Sequence, residues 1–232
     1  MNTLTFDNVS VSRGGQVVLG PIDLRLQLNG ITCLLGPNGA GKSVFLNLCH
    51  GMFSPDNGVV DWNGKSAIST RRDRSFMFQS AAVMRRSVQA NVAFPLVAQK
   101  IAKAERLVRV GEALRFARLS DQAKQPAASL SGGEKQRMAL ARAWVTRPKV
   151  ILLDEPAANL DPGSTRALET MLRDVANSSG VMIATHDLLQ ARRLADHVLV
   201  FVDGRLEINQ SADAFFTKTH TGVVADYLDG RI

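Results

Sequence analysis

Apolar and polar positions alternate from Leu4 to Val11, with Leu4, Phe6, Val9 and Val11 apolar, as in a strand buried on one face. Arg13-Gly14-Gly15 reads as a turn. Val17 to Leu28 reads as one or two further strands, with Ile22, Leu24, Leu26 and Leu28 on one face. The pattern then changes. Ile31–Leu35 is a short continuous apolar run, the signature of a strand buried on both faces, and Ser75–Phe78, Val150–Leu153 and Val181–Ala184 repeat it. A Gly-rich loop follows the first of these runs and leads into a helix through Phe45, Leu46 and Leu48. Strands alternating with helices predict an α/β fold around a parallel sheet, with a small antiparallel β subdomain at the start.

Residues 98–119 follow a helical period. Ile101, Ala104, Leu107/Val108, Gly111, Leu114 and Ala117 form the apolar stripe, with Lys100, Lys103, Arg106 and Arg109 between them. This predicts an amphipathic helical region broken near Gly111, its stripe packed into the core, inserted in the α/β framework. Asp203-Gly204 reads as a hairpin turn between Val198–Val202 and Leu206–Ile208, and Ser211 as the cap of a short final helix.

Composition narrows the class. The 232 residues are 45% apolar and 21% charged, close to the globular average, which excludes a disordered or collagen-like chain. No apolar run approaches the roughly 18 residues of a membrane span, and MNTLTFDNVS lacks the basic head and apolar centre of a secretory signal. Cys33 and Cys49 lie in apolar stretches with no CxxC pattern, and read as reduced, buried thiols. The net charge of +7 is uneven. Residues 61–150 carry 18 basic and six acidic side chains, a net +12, whereas 151–232 carry seven basic and 12 acidic, a net −5. Such a basic segment suits a solvated helical face or a polyanionic partner. No basic blocks interleave with aromatics, which speaks against nucleic acid.

Gly36-Pro37-Asn38-Gly39-Ala40-Gly41-Lys42-Ser43 matches G-x-x-x-x-G-K-[ST], between a buried strand and a helix. Glycines let backbone N–H groups turn inward around a polyphosphate, and the helix N-terminus adds its dipole. Lys42 supplies a compact charge at the outer phosphates, and Ser43 can ligate Mg²⁺. Asp154-Glu155 follows the Val150–Leu153 strand, at the end where open α/β sheets bind ligands. Asp154 would hold Mg²⁺ directly or through water, and Glu155 could take a proton from an attacking water. A Gly-rich turn and a solvated acidic turn are the plain alternatives.

Leu130-Ser131-Gly132-Gly133-Glu134-Lys135-Gln136-Arg137 precedes an apparent helix running towards Trp144 and offers a second anion-binding helix terminus. With these three motifs in this order, the chain resembles the ATP-binding cassette (ABC) ATPases from Leu4 to about Ile208. The resemblance implies a single cassette over 1–232, with a P-loop NTPase core and β subdomain in 1–80 and 138–232 and a helical subdomain in 81–137. It also implies ATP and Mg²⁺ as ligands, and two cassettes pairing head to tail when ATP is bound. Each ATP would lie between the phosphate loop of one copy and Ser131, Gly132, Gly133 and Glu134 of the other. Gln79 then stands at the glutamine that senses Mg²⁺ and the attacking water, His186 at the histidine that contacts the γ-phosphate, and Asp161 at the aspartate that communicates across the dimer. Val44 and Val18 join the nucleotide-contacting set.

Two departures stand out. Arg13 occupies the position where the family stacks an aromatic on adenine, and a guanidinium can stack on a planar base in its place. Ala158 replaces a common serine. The segment Val83-Met84-Arg85-Arg86-Ser87-Val88 with Asn91-Val92 resembles tungstate and molybdate importer ATPases and their sulfate and phosphate relatives. The expected partners are therefore transmembrane permease subunits and, indirectly, an extracytoplasmic solute-binding protein, with no nucleic acid. The expected location is the cytoplasmic face of a bacterial inner membrane, as a peripheral subunit. No additional C-terminal regulatory domain is expected. An export or lipoprotein-release ATPase, and a non-transport cassette acting on DNA or ribosomes, are the competing classes.

Overall fold

The computed structural model describes residues 2–231. In chain order the elements are β1 (Asn2–Arg13), β2 (Gln16–Leu28), β3 (Ile31–Leu35), α1 (Lys42–His50), β4 (Asn57–Trp62), β5 (Lys65–Ser66), β6 (Arg74–Met77), α2 (Val88–Ala98), α3 (Lys103–Phe116) and α4 (Gly132–Trp144). They continue with β7 (Val150–Asp154), α5 (Pro162–Ala176), β8 (Gly180–Ala184), α6 (Leu188–Leu194), β9 (His197–Val202), β10 (Arg205–Ser211), α7 (Ala212–Thr217) and α8 (Gly222–Leu228).

The strands form two sheets. An antiparallel sheet has the order β2-β1-β4-β5, and a second has the order β10-β9-β3-β8-β7-β6. In the second sheet β9, β3, β8, β7 and β6 run parallel, and only β10 pairs antiparallel, across the Asp203-Gly204 hairpin. The parallel strands separate two cores. Leu34, Leu152, Met182, Leu199 and Phe201 face α1 and the antiparallel sheet, where the Phe45 ring stacks on Phe6 at 4.6 Å. Cys33, Leu35, Ile151, Leu153, Val181, Ile183, Val198 and Val200 face the helices, and the same core continues into α2 and α3. Burial on both sides explains the unbroken apolar runs.

β1 contains a change of parity: the buried positions are Leu4 and Phe6, then Val9 and Val11. A shift of register between Phe6 and Val9 supplies the missing residue, with Asn8 at φ 47° and its amide donating 2.7 Å to Asp23. β2 is one strand, not two. β6 ends at Met77, so Phe78 lies past the strand and is 54% exposed.

The helical region departs from expectation. α3 runs unbroken through Gly111, and the interruption lies at 99–102, between α2 and α3. The buried face is Val110, Ala113, Leu114 and Ala117, while Leu107 and Val108 are 65% and 60% exposed. Only the second half of α3 reaches the core. In the first half the stems of Arg106 and Arg109 turn inward, and Arg109 pairs with Glu105 at 2.5 Å. Ser211 does cap α7, its hydroxyl accepting from the Ala214 amide at 3.4 Å, but α8 follows, so α7 is not the last helix. Cys33 and Cys49 are buried free thiols, and burial lifts the Cys33 thiol to about 12. No helix among the described residues is long and apolar enough to cross a membrane.

The burial of α3 predicts a contrast. Leu114→Ala should lower the unfolding free energy by about 2–5 kcal/mol, and Leu107→Ala by no more than roughly 0.5 kcal/mol. Urea denaturation of the two variants checks this, and equal losses would show that the first half of α3 is packed.

Candidate active site

Four parallel strands release their carboxyl ends at one edge of the sheet. Leu34 pairs with Ala184, Ala184 with Asp154, and Leu153 with Met77. The residues just beyond these pairs are Gly36, His186, Glu155 and Gln79. A cleft of about 510 Å³ opens there, lined by Asn38, Gly39, Ala40, Gly41, Lys42, Ser43 and Val44 from the loop and first turn of α1, by Gln79, Asp154, Glu155 and His186, and by Arg13 and Val18 from the β1–β2 hairpin. Residues from Arg13 to His186 thus converge, bringing together the phosphate loop, the acidic strand end, Gln79 and Arg13.

Gly36 has φ 140°, and a Cβ there would fall on the Phe201 carbonyl oxygen, so only glycine fits. Gly36 and Pro37 do not line the cleft. Their carbonyls accept from the Lys42 ammonium at 2.6 and 2.8 Å. Burial lowers the Lys42 pKa, and the nearby carboxylates of Glu155 and Asp154 oppose that shift. Burial raises the Asp154 pKa, opposed by a hydrogen bond from the Ser43 hydroxyl; Glu155 raises it further and Lys42 lowers it. One cation and two carboxylates therefore share a half-buried space: Lys42 and the carboxylates favour each other's charge, while the two carboxylates oppose each other's.

Glu155 sits in the left-handed region at φ 48°, which a long side chain occupies only under constraint. Its amide donates to the Ala184 carbonyl at 2.9 Å. That bond ties the residue after β7 to the end of β8 and aims the carboxylate at His186, whose Nδ1 lies 3.0 Å from Oε1 and 2.8 Å from Oε2. The Glu155 side chain is 13% exposed and that of His186 is 61% exposed. A shielded carboxylate is thus held by an imidazole at the mouth of the cleft.

Ser131, Gly132, Gly133, Glu134 and Asp161 do not line this cleft. Ser131 caps α4 in a reciprocal capping box: its hydroxyl accepts from the Glu134 amide at 3.3 Å, and its own amide donates to the Glu134 carboxylate at 2.8 Å. Hydrogen bonds from the Ser131 amide and hydroxyl hold the Glu134 carboxyl below its usual range. Asp161 caps α5, accepting from the Ser164 amide at 2.9 Å, and Ser164 holds its carboxyl low. The two helix starts are in contact, since a Cβ on Gly133 would lie 2.6 Å from Cβ of Ser164.

Two residues near the site carried no signal of their own in the sequence. Tyr227, remote from the loop in sequence, is buried on α8 with its hydroxyl toward the Gly36 amide, without closing a hydrogen bond of normal geometry. Burial raises the phenol pKa. Gln136, inside the quoted LSGGEKQR stretch, donates from Nε2 to the Gln79 carbonyl at 3.0 Å. A second depression of about 530 Å³ lies between β6 and the helical layer. Phe78 and Phe94 line it, together with Arg72, Arg74 and Arg142.

Comparison with known proteins identifies the family. Residues 19–158 match the family described as ABC transporter. The tungstate uptake system ATP-binding protein TupC of Peptoclostridium acidaminophilum is 37% identical over 92% of this chain and 99% of its own length. The sulfate/thiosulfate import ATP-binding protein CysA of Mesostigma viride is 36% identical over 88% of this chain and 61% of its own. Other relatives at 34–36% identity are named for import of Fe(3+) ions and of spermidine/putrescine. Among solved structures, cbiO1 of Clostridium perfringens, described as part of the ABC transporter complex cbiONQ, superposes with a TM-score of 0.85 at 28% identity, over 93% of this chain and 90% of that one.

Proposed function

The chain belongs to the ABC transporter family as an ATP-hydrolysing subunit, and from that premise we propose that it powers import of an oxyanion, tungstate first. The observation that carries the hydrolytic mechanism is the Glu155–His186 pair beside the loop lysine. ATP enters with its phosphates along the amides of the Gly36–Ser43 loop, and Lys42 turns from the loop carbonyls to the outer phosphates. Glu155 takes a proton from the attacking water, a contribution of roughly 10²–10⁴ in rate. His186 holds that carboxylate in place and reaches the γ-phosphate, and Gln79 lines the water side.

The residues present suit Mg²⁺. The Ser43 hydroxyl, the Asp154 carboxylate and Gln79 line the same cleft, an oxygen-donor set of the kind that would bind Mg²⁺ alongside water and phosphate oxygens. Bound there, the ion supplies charge neutralisation on the transferring phosphoryl group.

The cleft of one copy holds the loop half of a site, and the capped start of α4 is a second anion-binding end outside it. Two copies facing head to tail complete two sites. ATP favours the closed pair because its γ-phosphate meets both halves, whereas ADP has no group to bridge them. The apolar depression at Phe78 and Phe94 adjoins Gln79 in sequence, and we assign it to the permease, which places this subunit at the cytoplasmic face of the membrane. Arg13, beside Val18 on the cleft wall, covers the adenine. Tungstate as cargo is supported by the match over nearly the full length of TupC and by the Val83–Val88 segment. In this mechanism cargo is bound by the other subunits.

Three outcomes follow. Glu155→Gln should bind ATP, hydrolyse it very slowly and elute as a dimer with Mg²⁺-ATP on size exclusion; near-normal turnover would mean that another base operates. Arg13→Ala should raise the Michaelis constant for ATP while leaving kcat nearly unchanged, and an unaltered constant would remove Arg13 from the adenine. Purification of the intact complex and calorimetry on its extracytoplasmic subunit should show tungstate bound more tightly than sulfate, Fe³⁺ or spermidine; the reverse order would refute the cargo assignment.

A further inference from the structure

Among the described residues, the hydrogen bonds that fix the backbone of residues 79–87 come from the helical layer. Gln136 on α4 donates to the Gln79 carbonyl at 3.0 Å, and Arg142 on the same helix donates to the Ala82 carbonyl at 2.6 Å. Asn91 on α2, fully buried, accepts from the Met84 amide at 2.9 Å and donates to the Met84 and Ser87 carbonyls at 3.1 and 3.0 Å. The Ala127 amide donates to Arg86 at 2.9 Å. The segment leaves the central sheet at Met77 but is carried by helices. Gln79, which lines the nucleotide cleft, is therefore tied to α4 by a hydrogen bond.

Gln136 is 94% buried in consequence of its 6% exposure, and its Oε1 has no donor. The amide is thus held at one end only, by its bond to Gln79. The same helix begins at Ser131, five residues or about 7.5 Å earlier along the axis. We propose that Gln136 is a positioning residue joining the two half-sites carried by one chain. Force applied to the start of α4 by a nucleotide in the partner copy passes through the Gln136 amide to the Gln79 carbonyl, and so to the Gln79 side chain in this copy's own cleft. The inference rests on the assignment of Ser131–Glu134 to the partner's nucleotide. Coupling of this kind is reciprocal: a nucleotide that draws in Gln79 also biases α4 toward the partner. Arg142, further along α4, holds Ala82, and Asn91 and Ala127 hold residues 84–87, so Gln136 is the link nearest to both sites.

The test uses the full chain carrying Glu155→Gln, alone and with Gln136→Leu or Gln136→Met, which keep the volume and remove the donor. Size exclusion with Mg²⁺-ATP comes first, then hydrogen exchange of each dimer against its nucleotide-free form. In the parent, closure should slow exchange at residues 79–82 by roughly fivefold or more, and in the Gln136 variants by less than about twofold, the range set by losing one hydrogen bond. The loop at 36–43 should slow equally in all three. Equal slowing of 79–82 in the variants, or none in the parent, overturns the inference while leaving the dimer intact. General loss of protection along α4 in both variants before ATP is added would make Gln136 merely structural. Failure of the parent itself to dimerise would instead refute the two-half-site mechanism, and this inference with it.

Discussion

Hydrogen bonds between β3, β8, β7 and β6 set Leu34, Ala184 and Asp154 in one row and Leu153 with Met77 in the next, and the phosphate loop, Asp154, Glu155 and His186 hang from that alignment. A slip of one residue would exchange the two faces of a strand. Apolar character alone does not oppose such a slip, because these strands are buried on both sides. Shape does. Leu34, Leu152, Met182 and Phe201 fill the side toward α1 and the antiparallel sheet, whereas Ile151, Val181, Ile183, Val198 and Val200 pack against helices. Exchanging neighbours of unlike size, such as Phe201 with Val200 or Met182 with Val181, would open cavities on one side and overfill the other.

The same register brings unlike charges together in a space that does not favour charge. Burial disfavours the charged forms of both Lys42 and Asp154. Their mutual attraction opposes this; Glu155 supports the Lys42 charge but works against that of Asp154, which the Ser43 hydroxyl favours. The cost also shows in the backbone, since Glu155 is held at φ 48° by its bond to Ala184. Strain at such a position has a cost of order 1–3 kcal/mol and persists where the surrounding sheet determines it. The sheet is therefore both the frame of the site and the source of its constrained carboxylate.

The parts most legible in the sequence were those governed by local chemistry. A glycine loop between an apolar run and a helix, carboxylates after another such run, and a serine three residues before Glu134 each specify their geometry within a few residues. Parity in β1 and the stripe of α3 were less legible because both depend on what lies opposite. Counting apolar positions cannot locate a bulge at Asn8, nor show that α3 leaves the core before Val110. Leu107 and Val108 share the helical period of Leu114 yet face outward, since a period describes one helix and burial requires a second surface. Tyr227 was illegible for the same reason. Nothing near it in the chain indicates the loop, and only packing of α8 on the sheet brings the phenol to Gly36.

One feature of the architecture joins these levels. Of the cleft residues, Arg13 and Val18 come from the antiparallel sheet and most others follow strands of the parallel one, but Gln79 lies beyond the last hydrogen bond of β6. Irregular backbone next to a site normally finds its hydrogen bonds in the nearest layer. Here that layer is the set of helices, through Gln136, Arg142 and Asn91. Part of the cleft wall is thus hydrogen-bonded to the helical layer as well as joined through the chain to β6. The apolar depression at Phe78 and Phe94 opens along the same seam. For a machine that must convert the presence of one phosphate into movement of a partner, this seam is the place where the two can meet. Rigid attachment of Gln79 to the sheet would give a better-ordered cleft and sever it from everything outside.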